Sequence, residues 1–354
     1  MTTSVCTNQL SKIGEQLVAA ANQEQVPSSE LLKTLFPYIE QASPKMSSRA
    51  ISKWLADNHQ IKISPATILR ALKKGWDTKA FEKLGFQPHE INLIQGVLQR
   101  GTGMLLVCGP TASGKSTTLS TCARTLLQQP RFSMVTVENP VECKLPGAHQ
   151  MSATESTLGQ CVKAALRSDP DCILVGEMRK EEHLSFALDA AITGHSVLTT
   201  LAVKSAVQAP ARLLSMGGSP EIVARALSAV TAQILVRTLC PICAKPAQTL
   251  PSKEEMRGGG ISATWLRKKA GRLMEPVGCD ACGGTGYKGR MLIAEGFSNS
   301  PEIKRIITRE NGDPQAIRNE MHAQGGKSLG QQAINLAATG VVALTDAIKL
   351  LSLD

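Results

Sequence analysis

Gly109-Pro110-Thr111-Ala112-Ser113-Gly114-Lys115-Ser116 fits the spacing G-x-x-x-x-G-K-[ST] without a gap. It stands between a short apolar run, Met104–Val107, and a stretch of helical pattern, Thr117–Leu127. Strand, glycine loop and helix in that order are the context in which this spacing binds phosphate. The glycines let the backbone wrap a phosphate oxygen closely. Successive N–H groups then turn inward, and the helix N-terminus adds positive potential. The loop, with Thr117 after it, is the candidate cradle for a nucleoside triphosphate. Lys115 is expected to reach the β- and γ-phosphates, and the Ser116 hydroxyl to hold Mg²⁺.

Reading outward, apolar runs at Met134–Val137, Cys172–Val175 and Ser196–Leu201 alternate with helical stretches at Thr157–Arg167 and Lys180–Ala191. The alternation predicts an α/β fold, with a mainly parallel sheet and helices on both faces. Asp169-Pro170-Asp171-Cys172-Ile173-Leu174-Val175-Gly176-Glu177 is an apolar strand ending in an acid. That form sets a carboxylate beside the Mg²⁺ water shell, with Glu177 where Asp is more usual. Val137-Glu138-Asn139-Pro140-Val141-Glu142 ends another strand. An acid near a γ-phosphate can polarise the attacking water, and spacing leaves Glu138 and Glu142 both open. Ile222–Leu235 reads as helix, Trp76–Pro88 as a linker, and the last hundred residues or so as short helices.

The whole chain, 354 residues with 42% hydrophobic side chains, is long enough for two or three domains with a sizeable core. A charged fraction of only 19% argues against a largely disordered chain. Aromatics at 3% argue against a broad stacking platform for single-stranded nucleic acid. No apolar run reaches membrane-spanning length, and Met1–Gln23 lacks a basic stretch followed by an apolar one, so the expectation is a cytoplasmic chain. A net charge of +10 favours acidic partners.

Ten cysteines are present. Six are scattered, Cys6, Cys108, Cys122, Cys143, Cys161 and Cys172, and several of these fall in apolar runs and read as small core residues. Cys240-x₂-Cys243 and Cys279-x₂-Cys282 offer four thiolates in two tight pairs. Four soft ligands suit tetrahedral Zn²⁺ and leave no open position, which points to a structural site. Redox-active C-x-x-C is the competing reading.

Towards the N-terminus, Ser47–Asn58 and Pro65–Lys74 read as two short helices resembling a helix-turn-helix. Residues 44–80 carry eight basic and two acidic side chains. On DNA, Pro65–Lys74 would enter the major groove, with Lys53, Lys73 and Lys74 on phosphates. A small basic docking module fits the same pattern equally well.

In this order the motifs resemble the secretion ATPase family that powers type II secretion and type IV pilus assembly. Beside the glycine loop, Thr136–Glu142 resembles the family's acidic box and Asp169–Arg179 its atypical Walker B. Thr193-Gly194-His195-Ser196-Val197-Leu198-Thr199-Thr200-Leu201 resembles its histidine box. The likeness continues through Gln233–Cys243 and Cys279–Glu295, and covers roughly residues 80–354. It implies ATP as the nucleotide, Glu142 as the water-activating acid, and Glu177 as the Walker B acid and Mg²⁺ ligand. Arg179 matches the arginine that follows that acid, and His195 the first histidine of its box. The implied architecture is a RecA-like P-loop NTPase core over 91–235. A small helical domain over 1–78 and a linker over 79–90 precede it, and a tetracysteine, zinc-binding and helical domain over 236–354 follows. The implied assembly is a homohexamer that couples ATP hydrolysis to subunit motion against an inner-membrane platform protein, holding the chain peripherally at that membrane. The four cysteines favour the assembly branch over retraction motors.

Three positions depart from the pattern. Asn139 stands for an Asp, Lys180 for an acid, and Ala202 for the second histidine. Arg70 and Arg100 are candidates for arginines that a larger N-terminal domain usually supplies. Two other functions stay open: a nucleotide-responsive DNA-binding protein, and a degenerate scaffold that binds nucleotide without turning it over.

Overall fold

The computed structural model describes residues 52–53, 56–57, 78–129, 132–248 and 270–351. The helix-turn-helix expected within residues 28–75, with Arg70, therefore lies almost wholly outside the described residues. In chain order the elements are α1 (Lys79–Leu84), α2 (Pro88–Arg100), β1 (Gly103–Cys108), α3 (Lys115–Leu127), β2 (Met134–Glu138) and β3 (His149–Ser152). Then come α4 (Leu158–Leu166), β4 (Cys172–Glu177), α5 (Glu181–Ile192), β5 (Ser196–Leu201), α6 (Ala209–Ser215) and α7 (Pro220–Ala226). The chain continues through β6 (Leu227–Leu239), the short pair β7 (Lys245–Pro246) and β8 (Met274–Glu275), and β9 (Tyr287–Ser298). It closes with α8 (Pro301–Arg309), α9 (Pro314–Ala323), α10 (Leu329–Ala337) and α11 (Leu344–Leu351).

Every residue of β1 and β5 is buried. Strands this apolar need cover on both faces, which crossover helices of a parallel sheet provide. The seven-stranded sheet runs β3-β2-β4-β5-β1-β6-β9, parallel except for β9, which pairs antiparallel with β6. Side chains alternate across it as strand geometry requires. Met104, Leu106 and Cys108 face a layer that includes α4, α5, α7, α8 and α9. Leu105 and Val107 face α1, α2 and α3. A third cluster sets α10 and α11 against the distal parts of β6 and β9. Cys108, Cys122 and Cys172 are buried in these layers, as small core residues should be. The late helices start where their sequences say: Ser300, Asp313 and Ser328 each accept from a backbone N–H of the first turn, and Pro301 and Pro314 open the first two.

One buried carboxylate ties the C-terminal helices to the core. Glu295 of β9 accepts from Ser205 Oγ at 2.6 Å and the Ala206 N–H at 2.7 Å through one oxygen, and from the Leu329 N–H at 3.0 Å through the other.

The structure corrects three readings. The helix expected over Ile222–Leu235 ends at Ala226, and Leu227 begins a strand of thirteen residues. Its first seven residues are all buried, Ser228, Thr231 and Gln233 among them, so apolar and polar side chains do not alternate and the segment shows neither a period of 2 nor of 3.6. Pairing with β1 on one side and β9 on the other decides the matter. β6 therefore crosses the boundary expected at 235–236, and β9, from the region expected to be helical, adds the sheet's last strand. The stretch expected to be a linker holds α1, whose Phe81 packs edge-on against Phe86 at 6.3 Å, both buried. Among the described residues no helix is long and apolar enough to cross a membrane.

Leu106 is fully buried in β1, an interior strand paired on both sides. Leu106→Ala should lower the unfolding free energy by about 2–5 kcal/mol in a urea melt. A loss well under 1 kcal/mol would mean that β1 is not packed from both sides.

Candidate functional site

The glycine loop leaves the C-terminal end of β1, between its parallel neighbours β5 and β6, and enters α3. This edge is where open α/β sheets bind ligands. Gly109 has φ +146°, and a Cβ there would lie 2.4 Å from the Gln233 carbonyl oxygen and 2.5 Å from Ser113 Oγ, so only glycine fits. Ser113 Oγ is buried without a hydrogen-bond partner. A close backbone approach, an uncapped helix N-terminus and one uncommitted buried hydroxyl fit the phosphates of a nucleotide.

Gln233 of β6 braces this loop. Its Oε1 accepts from Thr118 Oγ1 at 2.7 Å, and its Nε2 donates to the Ser113 carbonyl at 2.9 Å. Sequence reading did not single it out. Its signal is a lone amide inside an otherwise apolar run.

A cleft of about 250 Å³ opens beside the loop, lined by Lys115 and Ser116 together with Glu142, Glu155, Glu177 and Arg179. Lys115 Nζ donates to the carbonyls of Gly109 and Pro110, both at 2.9 Å. Burial lowers its ammonium from the ordinary lysine range, and the charges of Glu177 and Glu142 work the other way. Glu177, at the end of β4, accepts through Oε2 from Arg179 at 2.9 and 2.7 Å. The two acids left open by spacing differ in commitment. Glu138 accepts from Thr136 Oγ1 at 2.7 Å and Gln150 Nε2 at 3.3 Å, whereas Glu142 is exposed to the cleft. Asn139 also lines the cleft, and Lys180 pairs with Glu155 at 3.5 Å.

His195 is not brought to this cleft, which corrects its expected catalytic place. It precedes β5 at the strand's N-terminal end, where its carbonyl accepts from the Gly103 N–H. The glycine loop follows Cys108, five residues further along the paired strand. At about 3.3 Å per residue that is roughly 16 Å away. His195 Nδ1 instead lies 3.1 Å from Thr193 Oγ1 and 3.2 Å from the Ala190 carbonyl, in the turn between α5 and β5. Arg100, at the end of α2, sits three residues before Gly103, the start of β1, at the same far edge. Within the histidine box it is Thr200 that lines the cleft. The imidazole present there belongs to His183 of α5, 1% exposed, with Nε2 3.3 Å from the Glu155 carbonyl and Nδ1 unpartnered. Nothing in the sequence distinguishes His183 from the buried face of its helix.

The four expected metal cysteines do come together. All four Sγ atoms lie within 4.8 Å of one another. Cys240–Cys279 is 3.9 Å, and Cys243–Cys282 and Cys279–Cys282 are 3.8 Å. A tetrahedron with bonds of about 2.3 Å has edges of about 3.8 Å, so the set fits one four-thiolate metal. Gly278 N–H donates to Cys243 Sγ at 3.3 Å, and the Cys279 and Gly286 N–H groups donate to Cys282 Sγ at 3.2 Å. Burial raises the Cys282 thiol, but these donors and the neighbouring thiols bring it down to about 6.

A family model described as type II/IV secretion system protein matches residues 61–349. The chain is 36% identical over 285 residues to the type IV pilus assembly ATPase PilB of Thermus thermophilus, a match covering 79% of this chain and 31% of that protein. It is 38% identical over 249 residues to type II secretion system protein E of Pectobacterium carotovorum, covering 70% and 48%. To the type II secretion system protein HxcR of Pseudomonas aeruginosa it is 34% identical over 286 residues, covering 80% and 56%. The chain thus spans from under a third to just over half the length of these relatives. Among solved structures it is similar to the pilus retraction motor PilT with bound ADP, at TM-score 0.55 and 24% identity over 76% of this chain and 66% of that one. It is also similar to the Legionella pneumophila ATPase DotB, at TM-score 0.54 and 20% identity, covering 77% and 64%. At these identities the structural likeness is one of fold.

Gln233→Leu would leave Thr118 Oγ1 and the Ser113 carbonyl without their partner. Unfolding free energy should fall by about 1–3 kcal/mol, and affinity for a fluorescent ATP analogue should fall with it. Unchanged nucleotide affinity would reduce Gln233 to a core residue.

Proposed function

The chain belongs to the type II/IV secretion system protein family, and from that premise we propose that it is a Mg²⁺-dependent ATPase. It works as a ring of like subunits, and it powers type IV pilus assembly, type II secretion or a related plasmid-transfer machine. The observation that carries this reading is the single cleft that gathers Lys115, Ser116, Glu142, Glu177 and Arg179.

In this reading Gly109–Thr117 hold the phosphates, and Lys115 leaves its own loop carbonyls for the β- and γ-phosphate oxygens. Ser116 and Glu177 hold Mg²⁺, which when bound neutralises charge on those oxygens. Glu142 polarises a water for attack on the γ-phosphorus, the bond to the β–γ bridging oxygen breaks, and ADP and phosphate leave. Arg179 fixes Glu177 by the two hydrogen bonds it donates. The chain acts at the cytoplasmic face of the inner membrane, held there by a platform protein. Cys240, Cys243, Cys279 and Cys282 form a closed zinc site whose role is structural.

A nucleotide-binding scaffold is the second reading, favoured by Ala202 standing exposed just past β5. A DNA-binding reading rests on residues 44–80 and has no support in the described residues.

Turnover measured against protein concentration in Mg²⁺ buffer separates these readings. A motor should show per-chain turnover that rises with concentration and falls about 100-fold or more in both Lys115→Ala and Glu142→Ala. Bound ATP with no turnover would leave the scaffold. Metal analysis of reduced protein should find about one zinc per chain, and its chelation should lower the melting temperature. Much less than one zinc would sink the structural site.

A further inference from the structure

A second cavity, of about 440 Å³, lies where the first turn of α2 meets β9 and α10. It shares no lining residue with the nucleotide cleft. Its apolar lining comes from the edge strand β9, with Met291 and Ile293 on one face and Leu292 on the other, and from Leu336 of α10. Set into the wall is Glu90, 2% exposed, whose Oε2 has no hydrogen-bond partner. Lys327 stands exposed on the same cavity and makes no ion pair among the described residues. Asn335 adds an amide to the lining.

A buried carboxyl oxygen without a donor costs free energy that packing alone does not return. Burial pushes the Glu90 carboxyl up to about 7, opposed by the backbone N–H groups of Glu90 and Gln87; Glu295 raises it further and Lys327 lowers it. An apolar lining with a few convergent polar groups is the usual build of a small-molecule site. The two ionisable groups are an acid and a base at unequal depth, the acid buried and the ammonium exposed. A ligand carrying one charge would meet an opposed group at one end. A ligand carrying both would satisfy each.

We propose that this cavity binds a small zwitterion of amino-acid to dipeptide size, its amine on the Glu90 carboxylate and its acid group at Lys327. The site is independent of the reading given to the nucleotide cleft.

The test is isothermal titration of the full zinc-replete chain with L-glutamine, L-arginine, γ-aminobutyrate and glycylglycine, with acetate and methylammonium as singly charged controls. At least one zwitterion should bind saturably at one per chain, and neither control should. Glu90→Gln and Lys327→Gln should each weaken that binding about tenfold or more. Because Glu90→Gln removes a buried ionisable group while keeping its shape, its melting temperature should match or exceed that of the wild type, so lost binding would not reflect lost folding. Affinity for an ATP analogue should be unchanged in both variants. The proposal is overturned if none of the four zwitterions binds, if a control binds as well as they do, or if the two variants bind like the wild type.

Discussion

The amide of Gln233 is enclosed between the glycine loop and α3, and both of its ends are used there. This contact requires β6 to be a strand, because only an extended chain paired beside β1 carries residue 233 just past the end of that strand. It also requires one register. A slip of a single residue would turn Gln233 to the opposite face and leave Thr118 and Ser113 unsatisfied in the interior. β6 is held to that register from the other side by its long antiparallel pairing with β9. The phosphate loop is thus positioned in part by sequence more than a hundred residues downstream, and the tetracysteine segment is enclosed between the two strands that do it.

Legibility in the sequence followed how local each cause was. β1, β2, β4 and β5 showed as short apolar runs because each ends at a turn or at a residue with its own chemistry. The glycine loop was readable because backbone curvature there demands glycine at fixed spacing. The cysteine pairs were readable because two tight turns suffice to form them. β6 was not, since burial on both faces erases the period that separates strand from helix. β3 was not, because it is four residues of mixed polarity at the sheet's edge. α1 was hidden by its brevity, and only the packing of Phe81 on Phe86 shows why it is ordered.

The site divides in the same way. Lys115, Glu177 and Arg179 stand at strand ends or loop positions where sequence order and spatial order agree. Glu138 and Glu142 are separated only by hydrogen bonds that Thr136 and Gln150 direct to the former. His195 was placed by its box rather than by its position along β5, and strand polarity puts it at the wrong edge. His183 reaches the cleft and Gln233 the loop from elements whose approach no local pattern encodes. Under the proposed function, the cleft holds more carboxylates than cations, with Glu138, Glu142, Glu155 and Glu177 against Lys115 and Arg179. A triphosphate there is short of positive charge within one chain, which gives an electrostatic reason for a ring in which neighbours complete one another.

Glu295 is fully buried and accepts from Ser205, Ala206 and Leu329. A carboxylate satisfied by fixed donors on three sides acts as a stiff joint, because each bond limits rotation allowed by the others. One of its oxygens grips the segment that leaves β5 a few residues after Thr200, and the other grips the start of α10. Movement at the cleft end of β5 therefore has a short and inelastic route to the C-terminal helices. In mechanical terms the core and those helices are joined by a rivet rather than by a spring.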